Sequence, residues 1–508
     1  RLKYIWAPSA LISAQRVRKI FLIFAMLKFG AVLVGCAWAQ QPGVHTEEYH
    51  PEMPLWTCDS SGCSKQTKSV VLDANWRWLH NGQYTNCYKD GEFDQTLCPD
   101  PLTCAENCHM EGNSKDMYKS TYGIKETGKG IKLNFVTTNE YGSNYGSRVY
   151  MMDGPDKYEM FKLKNREFTL TVDMYYMPCG LNAAVYFVEM DADGGKAAAA
   201  AKGGVNAAGA KYGTGYCDAQ CPHDMKFMEG KANVIGWNAS HNPPIGTYGA
   251  CCAEMDIWEA NSRATAYTPH PCSITGTYIC EGIECGDNAK DERYDGVCDK
   301  DGCDYNSWRL GDKKFYGRGG DFTVNSREKM SIVTQFITEG NTDDGDLIDI
   351  RRFYVQDGKV IPNSNVSIAG VTGNSVTDKV CADMKSAFGD IDDFTRKGGL
   401  KAMGEALDRG MVLVMSLWDD AEANMLWLDS DYPLSKDPST PGVNRGPCNT
   451  DTGKPSYLRE KFPDARVKYS KIKVGTIGST FRSSSDDDED LDDGKWGDDR
   501  RLREEILI

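Results

Sequence analysis

The run Cys251-Cys252-Ala253-Glu254-Met255-Asp256-Ile257-Trp258-Glu259-Ala260-Asn261 sets three carboxylates among apolar residues, beside a cysteine pair. Two carboxyl groups held about 5 to 5.5 Å apart across a glycosidic bond can hydrolyse it with retention, one attacking the anomeric carbon while the other protonates the departing oxygen. A third carboxylate beside the nucleophile would orient it and help keep the acid protonated. The spacing imposes a geometric condition. In a regular strand Glu254 and Asp256 point to one face and Glu259 to the other, and five extended residues span about 16 Å. A bulge or sharp bend must therefore precede Glu259, a device common beside active sites. The competing reading is a solvated acidic strand; the interleaved Met255, Ile257 and Trp258 and the cysteines just upstream argue against it.

Composition narrows what such a site could act on. The 508 residues carry 73 acidic and 58 basic side chains, a formal net charge of −15, which leaves no basic face for phosphate backbones. Nucleic acid is excluded as an expected partner, and a neutral or cationic ligand is favoured. The 19 cysteines are too dense for a reducing compartment unless they bind metal. The 7 histidines, at 45, 50, 80, 109, 223, 241 and 270, do not complete ligand sets with them, so no metal and no other cofactor is expected.

The elements that must hold the carboxylates read as strands. Ser69–Leu72, Ile131–Val136, Phe168–Asp173, Ala184–Val188, Met330–Phe336, Met411–Ser416 and Val467–Val474 are β-rich runs, many alternating with period two, whereas helical signal is confined to short pieces such as Gly399–Leu407. The expected fold is all-β, a large sandwich of antiparallel sheets with long decorated loops. The alanine run Ala197–Ala201 reads as an exposed loop. Near the N-terminus Met26 is the expected initiator, followed by Lys28, the apolar Ala31–Val34 and a signal-peptidase pattern at Ala37-Trp38-Ala39, with a retained membrane anchor as the alternative. Residues 1–39 are thus an upstream extension plus a secretory signal peptide, 40–480 one catalytic domain without a linker or separate binding module, and 481–508 an acidic, disordered tail. Cleavage after Ala39 removes Cys36 and leaves an even set of cysteines, as nine disulfides in a secreted, extracellular protein require. Sequons at Asn238 and Asn365 fit that compartment.

The Cys251–Asn261 run closely resembles the active-site strand of glycoside hydrolase family 7, the cellobiohydrolases and endoglucanases that cleave cellulose. Further matching runs are Asp73-Ala74-Asn75-Trp76-Arg77-Trp78, Cys179-Gly180-Leu181-Asn182, Met190–Gly195, Lys211–Cys217, Thr268-Pro269-His270-Pro271-Cys272 and Met415–Asp420, and the resemblance extends from about Leu55 to Thr480. It implies a curved jelly-roll, concanavalin A-like sandwich whose disulfide-braced loops form a cleft or tunnel. It makes Glu254 the nucleophile, Asp256 its orienting neighbour, Glu259 the acid/base and His270 a catalytic-site histidine. A neutral polysaccharide needs aromatic platforms edged by polar groups. Trp78, Trp418 and Trp427 resemble the family's platforms, and Trp76, in the same motif, is the one more readily left in the core. Arg293, Asp304, Arg309 and Arg445 resemble residues of the product side; Arg148, Asn182, Tyr186, Tyr216, Asp218 and Gln220 resemble others along the groove.

The resemblance also pairs Cys58 with Cys63, Cys87 with Cys108, Cys98 with Cys104, Cys179 with Cys448, Cys217 with Cys252, Cys221 with Cys251, Cys272 with Cys298, Cys280 with Cys285 and Cys303 with Cys381. A tenth bridge common in the family is absent with both partners, His109 standing where one cysteine would be. The long segments Cys272–Cys303 and Asp429–Cys448 imply a roofed groove, attack at chain ends and release of cellobiose, as in reducing-end cellobiohydrolases. Two loop tips that often carry facing tyrosines read Ala289 and Ala421-Glu422 here, which implies a looser roof. The expected partners are cellulose and cello-oligosaccharides, bound by a monomer with no membrane attachment after signal cleavage. An endo-β-1,4-glucanase of the same family is the alternative, and a non-catalytic β-glucan lectin a further one.

Overall fold

Alternation of apolar side chains along the strands builds two sheets stacked face to face, antiparallel except where Leu55–Asp59 runs parallel to Arg466–Gly475. The computed structural model describes residues 40–287 and 291–481. The expected signal segment 1–39, the Ala289 loop tip and the acidic tail from residue 482 onward lie outside the described residues.

The eight-stranded sheet runs in the order Tyr305–Asn306, Thr265–His270, Glu254–Ala260, Leu181–Val188, Met411–Asp419, Ser147–Met152 and Ser69–Leu72, with Met160–Phe161 beside the start of Met411–Asp419. The nine-stranded sheet centres on Met330–Thr338, Arg166–Asp173 and Arg466–Gly475. One side of each strand feeds the interior. Val149, Val185, Phe187, Met255, Leu413 and Met415 from the first sheet meet Phe168, Leu170, Ile332, Phe336 and Tyr469 from the second. The alternate residues Tyr150, Ala184, Tyr186, Val188, Val412 and Val414 form a separate cluster on the opposite face. That face is covered by loops, which is why Leu181–Val188 and Glu254–Ala260 are buried along their whole length.

Two elements differ from the sequence reading. The alanine run is helical, over Lys196–Ala201, and not a loop. Alanine has the highest helix propensity, and the Asp193 carboxylate accepts from the amides of Gly195, Lys196 and Ala197, satisfying the free donors of the first turn. Helix is also not confined to the region near Gly399–Arg409: Asp378–Phe388 forms a second helix of eleven residues. Thr377 caps it, Gly389 ends it in the left-handed conformation, and Val380, Cys381, Met384 and Phe388 are its buried apolar face.

Nine disulfides are formed among the described residues, in the pairs named above. Most brace loops locally. Cys179–Cys448 instead closes 269 residues, so it removes the most chain entropy from the unfolded state. Replacing both of these cysteines by serine should lower the unfolding free energy by about 3 to 5 kcal/mol, measured by denaturant titration with the other eight bridges intact; an unchanged midpoint would refute that role.

Candidate active site

The carboxylate strand is irregular where the spacing requires it. Along Thr265–His270 the partners of Glu254, Asp256 and Glu259 are His270, Thr268 and Ala266, so between Asp256 and Glu259 two residues, Ile257 and Trp258, oppose one, Tyr267. On the other side Trp258 faces Val185 and Asp256 faces Tyr186, leaving Ile257 without a partner. This is a β-bulge, and it turns both Ile257 and Trp258 into the core. Glu259 thereby returns to the face of Glu254 and Asp256, where its Oε1 accepts from Asn182 Nδ2 at 2.9 Å.

The bulge leaves the Ile257 carbonyl outside the regular ladder, and Arg352 supplies its donor. This side chain crosses the sandwich from Leu347–Gln356, is 2% exposed, and donates from Nη2 to the Ile257 oxygen. Its guanidinium lies 4.2 Å from the centre of the Tyr267 ring. Sequence reasoning missed Arg352. The signal was present: it is in phase with the buried Ile350 and Tyr354 on an alternating strand, so its charge had to point inward.

Glu254, Asp256, Glu259 and His270 are only 4 to 9% exposed. Glu254 Oε2 accepts from the Ala219 amide at 3.1 Å. His270 Nε2 lies 3.0 Å from Asp256 Oδ2, and its Nδ1 lies 2.8 Å from the carbonyl of Asp299. A carbonyl only accepts, so Nδ1 carries a hydrogen, and Nε2 donates to Asp256 when the ring is an imidazolium. Burial opposes that charge, but the hydrogen bond and negative charge of Asp256, with Asp299, outweigh it and push His270 up to about 9. Glu254 is raised well above the usual carboxyl range by burial, then by the charges of Asp256, Asp218 and Glu259. Glu259 is raised by burial and Asp256, with His270 and Asn182 opposing. Two such neighbours cannot both ionise easily, so the pair holds on to one proton more tightly than an isolated carboxyl would.

The other residues singled out in the sequence fall into clusters. Tyr186 and Tyr216 share a hydroxyl contact of 2.8 Å, and Tyr216 donates to Asp218 at 2.6 Å. Arg148 lies 3.3 Å from the centre of the Tyr216 ring and pairs with Asp73 at 2.7 Å. Gln220 donates its amide to Asp218 and its side chain to the Lys300 carbonyl, both at 2.8 Å. Asp304 accepts from Arg309 at 2.5 Å and Arg445 at 3.1 Å, whereas Arg293 pairs with Asp301 at 2.8 Å. Trp418 and Trp427 stack with centres 6.3 Å apart, and Trp427 Nε1 donates to Asp420 at 3.0 Å. Trp78 stands 4.2 Å from the His80 ring; Trp76 is half-buried against the core, 5.4 Å from the Arg148 guanidinium. The sequence reading also missed Asp429, which accepts from Asn261 Nδ2 at 2.6 Å and Gly180 N at 2.8 Å and so ties down the end of the carboxylate strand.

A metal is not suited to the mixed histidine and carboxylate group His45, His80 and Glu111, although their ligand atoms lie within 4.8 Å of one another. His80 Nδ1 accepts from the Gly82 amide at 3.0 Å, so its proton is on Nε2 and is given to Glu111 at 2.7 Å. No lone pair is left on that nitrogen.

Buried carboxylates on a bulged strand of a β-sandwich, with a stacked tryptophan pair packed against the neighbouring strand, have the design of a polysaccharide hydrolase. The glycosyl hydrolase family 7 profile matches residues 42–481, and the chain belongs to this family. Its structure is similar to the family's cellobiohydrolase from Daphnia pulex, at 48% identity and a TM-score of 0.85 over 87% of this chain and 100% of that one. The Melanocarpus albomyces cellobiohydrolase complexed with cellotetraose is 42% identical, with a TM-score of 0.80 over 87% of this chain and 99% of the other. The native Humicola insolens endocellulase EGI is 37% identical, with a TM-score of 0.72 over 87% of this chain and 100% of its own.

Two outcomes follow. Arg352→Met, which keeps the bulk and removes the donor, should lower kcat roughly 10- to 100-fold by loosening carboxylate geometry while KM stays within about twofold, and Arg352→Lys should recover part of it; a full-activity Met variant would show that the bulge holds without Arg352. For His270 the folded value lies above the unfolded one, so its stabilisation is complete below about pH 6.5 and is lost as pH rises through about 9. Wild type should therefore lose about 3 kcal/mol over that window relative to His270→Gln, read by urea unfolding at each pH, and parallel curves would contradict it.

Proposed function

We propose that the chain hydrolyses β-1,4-glucosidic bonds of cellulose by double displacement with retention, releasing mainly cellobiose from chain ends. Glu254 attacks the anomeric carbon. Asp256, paired with His270, holds Glu254 in line and adds the like charge that keeps one proton on the pair. Glu259 gives that proton to the leaving oxygen, then takes one from the water that releases the glycosyl group. The observation that carries this reading is the bulge that turns Glu259 toward Glu254 and Asp256.

Binding is assigned by chemistry. Trp418, Trp427, Trp78 and Trp76 offer stacking surfaces for the CH faces of glucose; Arg148, Asn182, Tyr186, Tyr216, Asp218 and Gln220 offer hydrogen bonds to its hydroxyls. The charged cluster of Asp304, Arg309 and Arg445, with Arg293, serves the product end. A cavity of about 890 Å³ is lined by Ser143, Asn144 and Tyr145 together with Ala239 to Asn242 and Pro244. Nine disulfides suit secretion into an oxidising, extracellular medium.

The test of chain-end attack is the ratio of cellobiose released to new insoluble reducing ends on solid cellulose. A high ratio is expected, and one as low as an endoglucanase's would replace this reading by internal cleavage. Glu259→Gln should lose about 10²- to 10⁴-fold on cellulose and flatten the alkaline limb of the pH profile. His270→Gln, by removing a cation that favours the Glu259 anion, should move that limb to higher pH. Turnover by Glu254→Gln equal to wild type, at background level, would point to a lectin instead.

A further inference from the structure

The loops that carry His241 and Glu422 leave the groove sheet at opposite edges. Leu181 faces Asp419 and Val188 faces Val412, so the Met411–Asp419 strand ends where Leu181–Val188 begins, and the turn with Glu422 follows at that edge. Val188 also faces Glu254, so the segment from Glu189 to Ala253, which contains His241, leaves and returns at the other edge. Eight residues of strand separate the two edges, about 26 Å of sheet. Yet His241 Nε2 lies 3.4 Å from Glu422 Oε1. The nine-stranded sheet covers the other face, so this contact passes over the face with the carboxylates.

Each partner is set by its own loop. The Asp420 carboxylate accepts from the amides of Glu422, Ala423 and Met425 at 2.9, 3.0 and 3.1 Å and fixes the turn. The Asn238 amide donates to the Ile245 carbonyl at 2.7 Å and closes the base of the other loop. His241 Nδ1 lies 2.7 Å from the Pro243 carbonyl, which can only accept. A neutral imidazole has a single N–H, here committed to Pro243, so Nε2 can donate to Glu422 only when the ring is an imidazolium.

We propose that His241 and Glu422 form a proton-dependent clasp that closes the groove roof and sets how long a cellulose chain is retained between cuts. The retention rests on the chain-end reading above; the clasp itself does not. Protonation of the ring closes it, and loss of that proton removes the donor and opens it. The other charged and titratable groups around the cavity that His241 lines are Asp90, Lys226 and Arg459, with Tyr88 and Tyr145. Arg459 is held by Asp419 at 2.7 Å and Lys226 by the Asn75 carbonyl at 2.6 Å, and Asp90 lies 3.9 Å from Lys89. Glu422 therefore remains the carboxylate that answers His241. A relation between two loop tips so distant in the chain escapes any reading by motif, and Glu422 stands where the resemblance implied only a lost tyrosine.

Hydrogen exchange at the Asn238 and His241 amides, the cellobiose ratio on solid cellulose and turnover of a soluble chromogenic lactoside are measured for wild type, E422Q and H241K at pH 5 and pH 8. At pH 5, E422Q should exchange faster and its ratio should fall about two- to fivefold, the range for a partly exposed ion pair, with lactoside turnover within about twofold of wild type. At pH 8 wild type should approach E422Q, whereas H241K, still charged, should keep the protected loop and the high ratio. Exchange in E422Q equal to wild type at pH 5 would overturn the clasp. Faster exchange together with an endoglucanase-like ratio in wild type would keep the clasp and overturn the chain-end reading.

Discussion

A single surplus residue, Ile257, governs the chemistry available to this sheet. Without it the period of two would send Glu259 into the sandwich interior and leave Glu254 and Asp256 on the groove face without it. The bulge reverses that assignment at the cost of a backbone carbonyl outside the ladder, and an unsatisfied buried carbonyl is expensive. Arg352 meets the cost from the opposite sheet. A buried guanidinium without a carboxylate partner is itself unfavourable, and burial lowers its pKa. What Arg352 supplies to the site is the hydrogen bond that the bulge leaves unmade.

The same arrangement explains the electrostatics. Burial, and then the mutual repulsion of three acids gathered on one face, raises both Glu254 and Glu259. His270 limits the repulsion by pairing with Asp256, and the carbonyl of Asp299 fixes which ring nitrogen faces it. Asn261 and Asp429 hold the strand end, and Cys179–Cys448 lies in the same region, since Cys448 donates its amide to the Asp429 carbonyl. In the proposed reaction one proton on two carboxyls is what double displacement needs at its start.

What the sequence made legible was local. The alternation of Phe168–Asp173 or Met411–Ser416 is a property of a few neighbouring residues, and each run lies within a strand. The need for a bulge before Glu259 followed from spacing alone. The helix over Lys196–Ala201 was misread because low complexity was weighed above alanine's propensity and the Asp193 cap. Asp378–Phe388 was missed although Thr377 and Gly389 mark its ends. Arg352, Asp429 and the His241 and Glu422 pair stayed hidden for another reason: each acts across the fold on a partner far away in the chain, and nothing within a local window names that partner.

The proposed reaction requires the bulge to set Glu254 and Glu259 on either side of one glucosyl bond at the separation for retention. The most direct test is the anomeric configuration of the reducing end newly formed at the cleaved bond of a cello-oligosaccharide, followed by proton NMR before mutarotation. The account predicts the β-anomer; the α-anomer appearing first would require a water between the carboxyls and would contradict it.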